Sequence, residues 1–318
     1  MSQSTSRRRT AACALAGSLL LAGLTAMAGA TSAGAAEHAL QATASTCTGT
    51  TPPIASPSGQ WSCTFDDEFN GTSLDTSKWQ PMLTSNSSYH TGPSGSYVCY
   101  RNDPRTISES GGYLNLSVIS TGKAFQCNEI MHSFWTKYVG GMVDSMGLFS
   151  QQYGYFEARV QLPAQSTRGL QETLWLYPEN ETLYGPWPDS GEIDFGEFYS
   201  SYPNLDVPVV HYHGSTRDPN ATNDNCVIAG ETTAGQWHTY AVMWTPTTII
   251  TYYDGVTCFT DTYEPYVTYP DKAPEPYTQP FFLALTQALG IGTTNGFQSW
   301  TTKLPVTTKV DWVRVWQY

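Results

Sequence analysis

From Trp61 to the C-terminus, short runs rich in Tyr, Val, Ile, Phe and Thr are separated by Gly, Pro, Asn and Asp, and this rhythm decides the fold class. The runs at 113–119, 154–162, 237–244, 249–253 and 309–316 alternate apolar and polar residues, the mark of strands with one buried face. Asp254-Gly255 between two such runs reads as a hairpin turn. No helical stripe exceeds two turns and no repeat of fixed period appears, which sets aside propellers and β-helices. The expectation is all-β: one antiparallel β-sandwich of roughly a dozen or more strands. Twenty Tyr, ten Trp and twelve Phe exceed what its core needs, so some should line a cleft.

The N-terminus reads differently. Arg7, Arg8 and Arg9 precede an Ala/Leu/Gly-rich apolar run, and Ala33-Gly34-Ala35 fits a signal-peptidase site. Residues 1–35 are expected to be a signal peptide, by the general or the twin-arginine route, and the mature protein to be secreted. Residues 36–60, rich in Ala, Thr, Ser and Pro, read as a leader, and 61–318 as the folded domain. Without the three signal arginines, twelve basic residues stand against twenty-seven acids, a formal charge of −15. So acidic a surface repels phosphate backbones and anionic lipid, so neither nucleic acid nor membrane is an expected partner. A neutral polymer is compatible with it. A monomer is expected.

Six cysteines remain after the signal, and an even count in an exported chain reads as disulfides with fifteen possible connectivities. Short loops favour Cys47–Cys63, Cys99–Cys127 and Cys226–Cys258. No C-x-x-C pair supports zinc.

The sharpest chemical feature is Glu192-Ile193-Asp194-Phe195-Gly196-Glu197. On a regular strand Glu192 and Asp194 share a face and Glu197 lies on the other. One bulge near Phe195-Gly196 returns Glu197 to their side. Three crowded acids repel one another, so folding alone does not explain them. A solvated acidic strand or a calcium site would be the bland readings, and the interleaved Ile193, Phe195 and Phe198 argue against the first. Retaining glycosidases need two carboxyl groups about 5–5.5 Å apart, and a neighbouring anion raises the pKa of the one that must keep its proton.

At these residues the chain resembles glycoside hydrolase family 16, whose signature is E-x-D-x-x-E on a bulged strand. The likeness extends to Phe65-Asp-Asp-Glu-Phe-Asn-Gly71, Gly112-Tyr-Leu-Asn-Leu116, Tyr153-Gly-Tyr-Phe-Glu-Ala-Arg159, Trp187-Pro-Asp-Ser-Gly191, Trp237-His-Thr-Tyr240 and Val310-Asp-Trp-Val-Arg-Val315. The resemblance implies a concanavalin-like jelly-roll of two antiparallel sheets with substrate along the concave one. It implies nucleophile Glu192, assisting Asp194 and acid/base Glu197, and an endo-acting β-1,3-glucanase of the laminarinase kind. Mixed-linkage glucan, a galactan, or a non-catalytic glucan-binding sandwich are the alternatives. No catalytic cofactor is implied. A structural calcium is, at the carbonyls of Glu68 and Gly112 and the carboxylate of Asp311.

Sugar rings stack on indoles through their apolar face. Trp187, just before the acids, is the first candidate platform and Trp175 the second, and the resemblance turns His211 toward the cleft. Three positions depart from the family's pattern: Thr251, Gln287 and Met142 stand where an aromatic, an asparagine and an arginine are usual. One aromatic wall of the cleft is expected to be missing.

Overall fold

The structure, a computed structural model, describes residues 45–215, 221–223, 225–263 and 274–318. The expected signal peptide lies outside the described residues, as does the first part of the leader. Among the described residues no helix is long and apolar enough to cross a membrane.

In chain order the strands are β1 (Ser62–Asp67), β2 (Gln80–Pro81), β3 (Val98–Tyr100), β4 (Ile107–Ser110), β5 (Tyr113–Asn128) and β6 (Ser133–Gly140). There follow β7 (Met142–Asp144), β8 (Ser150–Gln151), β9 (Gly154–Gln161), β10 (Leu170–Pro178), β11 (Glu192–Tyr199) and β12 (Val209–His211). The last are β13 (Trp237–Trp244), β14 (Ile249–Tyr253), β15 (Val256–Asp261), β16 (Phe281–Leu289) and β17 (Val306–Gln317). Two single-turn helices, α1 (Thr84–Ser87) and α2 (Gly292–Asn295), interrupt them.

Among the described residues these strands form two sheets. One runs β15-β14-β13-β9-β17-β5-β6-β3 with β1 on β17 and β4 on β5; the other runs β12-β11-β10-β16-β7-β2 with β8 on β16. All pairs are antiparallel except β3 with β6, which is parallel. The expected hairpin forms at Asp254-Gly255, joining β14 to β15. Period two puts Phe156, Ala158 and Val160 of β9 and Val313 and Val315 of β17 against Leu174 and Leu176 of β10 and Leu283 and Leu285 of β16. Their burial between the sheets is the main driving force of the fold.

The leader joins the sandwich earlier than 61. Cys47 is buried and bonded to Cys63, its N–H donates to Asp66 Oδ2 at 2.7 Å, and Trp316 Nε1 donates to the Thr50 carbonyl. The other two bridges are Cys99–Cys127 and Cys226–Cys258, the nearest-neighbour pairing.

Candidate active site

The register of β10 against β11 sets the geometry of the acids. Trp175 pairs with Asp194 and Leu174 with Gly196, so Phe195 is the unmatched residue of a bulge. Ile193, Phe195 and Phe198 all enter the core, which leaves Glu192, Asp194 and Glu197 to the other face. Gly196 is needed for room: a Cβ there would stand 2.8 Å from Phe198 Cζ and 3.3 Å from Leu174 Cδ1. Gly191, at φ +89°, would bring a Cβ within 2.9 Å of both Phe281 and Pro276, so the turn into β11 admits no side chain.

Each acid has partners. Trp187 Nε1 donates to Glu192 Oε2 at 2.5 Å, and Gln171 Nε2 to Glu197 Oε1 at 2.6 Å. His211 Nε2 lies 3.1 Å from Asp194 Oδ2. Behind them Tyr277, fully buried, donates its hydroxyl to the His211 carbonyl at 2.7 Å and stands 3.3 Å from that of Glu192. That hydroxyl ties β12 to β11 at the catalytic level.

Burial raises all three carboxyl groups. Glu192 is pushed well up, by desolvation first and then by Asp194, against the pull of His211 and the Trp187 N–H. Asp194 is pushed well up by desolvation and then by Glu197, with a hydrogen bond to Glu192 opposing. Glu197 is raised by desolvation, while hydrogen bonds from Tyr199 and Gln171 lower it. Crowded anions that cannot all ionise are how a site keeps one acid protonated beside one charged base.

A cleft of about 530 Å³ opens beside Glu192. Tyr89, Trp175, Tyr177, Trp187 and Phe282 give it aromatic walls, and Met82, Ile130 and Met146 its far end. A family model for the glycoside hydrolase family 16 domain of β-porphyranases A–D matches residues 61–318. The chain belongs to glycoside hydrolase family 16.

The relatives it resembles are named for action on different glycans. It is 28% identical over 85% of its length to glucan endo-1,3-β-glucosidase A1 of Niallia circulans, and spans 39% of that protein. It is 28% identical over 80% of its length to keratan-sulfate endo-1,4-β-galactosidase of Sphingobacterium multivorum, spanning 54% of it. The chain thus spans about two-fifths to about half of these curated relatives. The laminarinase structure from Rhodothermus marinus superposes with a TM-score of 0.64 at 27% identity, covering 81% of this chain and 98% of that one.

Within this family 16 domain the sequence-derived binding residues take different parts. Trp187 is 54% exposed with its ring 5.1 Å from that of His211, an exposed ring beside Glu192. Trp175 lines the cleft but is only 5% exposed, its Nε1 held by Thr286 Oγ1 at 3.0 Å. It is a wall with one free flank rather than an open platform. His211 meets Asp194.

Of the three departures, two lie away from the cleft. Thr251 is buried on β14, in the sheet that does not carry the acids, so no cleft wall is lost there. Gln287 is buried between the sheets, donating to Glu172 Oε1 and accepting from Thr308 Oγ1, both at 2.7 Å. Met142 is the register partner of Thr286, buried beside the Trp175 bond.

Of the atoms that the resemblance assigned to calcium, the Asp311 carboxylate is otherwise engaged. Asp311 pairs with Arg159, and the Glu68 side chain with Arg314 at 2.8 and 2.9 Å. Gly112 lies beside Asn70. A divalent cation would have to displace a guanidinium from the single carboxylate in the set, so the set does not fit calcium as it stands. Glu192, Asp194 and His211 also bring donor atoms within 4.8 Å of one another, a convergence that the hydrogen bonds above account for.

Gln171, Tyr199, Tyr277, Tyr89 and Tyr177 were not singled out from the sequence. Alternation along β10 places Gln171 and Tyr177 on the face of Trp175, a signal available once Trp175 is assigned. Tyr277 reaches the site from a loop distant in sequence and left no local signal.

Proposed function

We propose that this domain is a secreted, endo-acting hydrolase of β-1,3-glucan that works by double displacement. Glu192 attacks the anomeric carbon as the carboxylate. Asp194 keeps a proton on the Glu192 side and holds that carboxylate in line, with His211 fixing Asp194. Glu197 protonates the departing oxygen, then takes a proton from the water that releases the sugar. The three disulfides support an oxidising, extracellular setting.

The lining of the cleft carries the choice of polymer. Among the described residues its walls are aromatic and aliphatic, its charged groups are Glu181 and Glu192, and no lysine or arginine lines it. A sulfated or uronic ring would set an anion beside Glu181 and Glu192, which disfavours it. A neutral glucan meets no such penalty. The second reading, a galactan hydrolase, rests on the porphyranase family model and the keratan-sulfate relative. Reducing-sugar release from laminarin, curdlan, lichenan, agarose and porphyran, run side by side, tests both. Laminarin and curdlan should be cut fastest; cleavage of agarose or porphyran with laminarin untouched would replace the glucan reading by the galactan one.

A further inference from the structure

Among the ten tryptophans three are largely exposed: Trp187 at the catalytic centre, Trp135 and Trp300. Trp300 is the most exposed, at 79%, and Trp135 follows at 67%. Neither borders the catalytic cleft. Trp300 instead borders a second cavity of about 440 Å³, with Ser120, Lys137, Tyr138, Thr302 and Lys303. Trp135 lies two residues before Lys137 on β6, on the same strand face.

The loop that presents Trp300 is held from both sides. Thr301 and Thr302 donate their N–H groups to the Gln298 carbonyl at 3.0 and 2.9 Å. Thr302 Oγ1 donates to the Arg168 carbonyl at 2.8 Å and the Lys303 N–H to Gln165 Oε1 at 3.0 Å. An indole fixed in water beside a cavity edged by hydroxyls and ammonium groups has the make-up of a sugar platform: ring stacking with polar donors around it.

Its place in the fold separates it from the cleft. Tyr138 packs on Phe297 at 5.0 Å, and the Phe297 N–H bonds the Gly290 carbonyl just past Leu289. The cavity therefore sits beyond the Leu170–Leu289 end of the β10–β16 pair, while Tyr177 and Phe282 line the cleft at the other end. Seven residues of strand between Leu170 and Tyr177 span about 23 Å.

We propose that Trp300, with Lys137 and Lys303, forms a second binding site for a neutral β-glucan strand, which keeps a long polymer on the protein while the cleft cuts it. The ligand's identity rests on the glucan reading above; the site itself does not. The chain's formal charge of −12 disfavours a polyanion at long range, and the two ammonium groups can serve as donors to sugar hydroxyls.

The test uses the full domain made inactive by Glu192→Gln, run through native gels containing laminarin, a carboxymethylated glucan, or no polymer. Trp300→Ala should weaken retention by laminarin roughly tenfold, as loss of a stacked indole does, while Trp300→Phe keeps most of it. Binding of a trisaccharide, short enough to occupy the cleft alone, should respond to Trp187→Ala and not to Trp300→Ala. Equal laminarin retention in parent and Trp300→Ala would overturn the second site. Loss confined to the carboxymethylated gel would overturn the neutral ligand. A concentration-dependent dimer abolished by Trp300→Ala, with laminarin retention unchanged, would make the patch a protein contact instead. Failure of the glucan reading shows separately, as absence of laminarin hydrolysis by the unsubstituted protein.

Discussion

His211 is the register partner of Glu192 across the β11–β12 pair, yet its Nε2 meets Asp194, 3.1 Å away, while the Glu192 carboxylate is held by Trp187. The two strands that flank β11 and the segment that leads into it thus give each acid a different partner. Glu192 takes an indole N–H, Asp194 an imidazole and Glu197 an amide from Gln171. Three carboxyl groups that burial would make equivalent are thereby made distinct.

His211→Ala removes a group that draws both Glu192 and Glu197 down. Both should then titrate higher. If Glu192 is the nucleophile, the acid limb of the kcat/KM profile reports its ionisation and should move to higher pH. An unmoved acid limb would mean that His211 serves packing alone.

Gln171→Leu removes a hydrogen bond that favours charged Glu197. The acid/base then keeps its proton to higher pH, so the basic limb of the same profile should rise while the acid limb stays. A fall of the basic limb would contradict the role of Glu197 as proton donor.

Trp187 makes two separable contributions, a stacking face and an N–H to Glu192. Trp187→Phe keeps the first and should lower kcat with little change in KM. Trp187→Ala should raise KM as well, with kcat/KM down roughly a hundredfold. Equal effects of the two substitutions would remove stacking from the account.

Glu172 is buried between the sheets and pushed up to about 8 by desolvation, against the hydrogen bond from Gln287. Its folded pKa exceeds its unfolded value, so the stability it contributes is complete below ~4.3 and lost as pH rises through about 8. Glu157, pushed up to about 7 by burial, adds to the same trend. Between pH 5 and 8 Glu172 should cost up to ~1.4 kcal/mol per pH unit, or roughly 2–4 °C in Tm. Glu172→Gln should flatten that slope in thermal melts; an unchanged slope would mean that Glu172 is ionised in the fold.

Much of this was legible before the fold was known. Period-two alternation identifies β9, β13 and β17, and the unequal spacing of Glu192, Asp194 and Glu197 already requires the bulge that Phe195 supplies. The aromatic excess announces a cleft without saying which rings line it, because strand parity is known only once a partner strand is fixed. The expected loss of an aromatic cleft wall at Thr251 does not hold, because Thr251 lies on β14 in the sheet that does not carry the acids. Gln171 and Tyr277 join the site through pairings distant in sequence. The packing of residues 45–60 onto β1 and β17 depends on a disulfide and a few backbone bonds, none of which leaves a periodic trace.

The central claim is the division of roles between Glu192 and Glu197, and azide rescue on a dinitrophenyl glycoside tests it most directly. That leaving group departs without protonation, so Glu197→Ala should still form the glycosyl-enzyme on Glu192 and then wait for a base. Azide, attacking the face that Glu197 served, should restore turnover and yield the β-glycosyl azide, while Glu192→Ala, with no nucleophile to form the intermediate, should be inactive without azide and give only the inverted α-glycosyl azide with it. Rescue of Glu192→Ala to the β-glycosyl azide, with Glu197→Ala giving the α-glycosyl azide, would show the roles reversed.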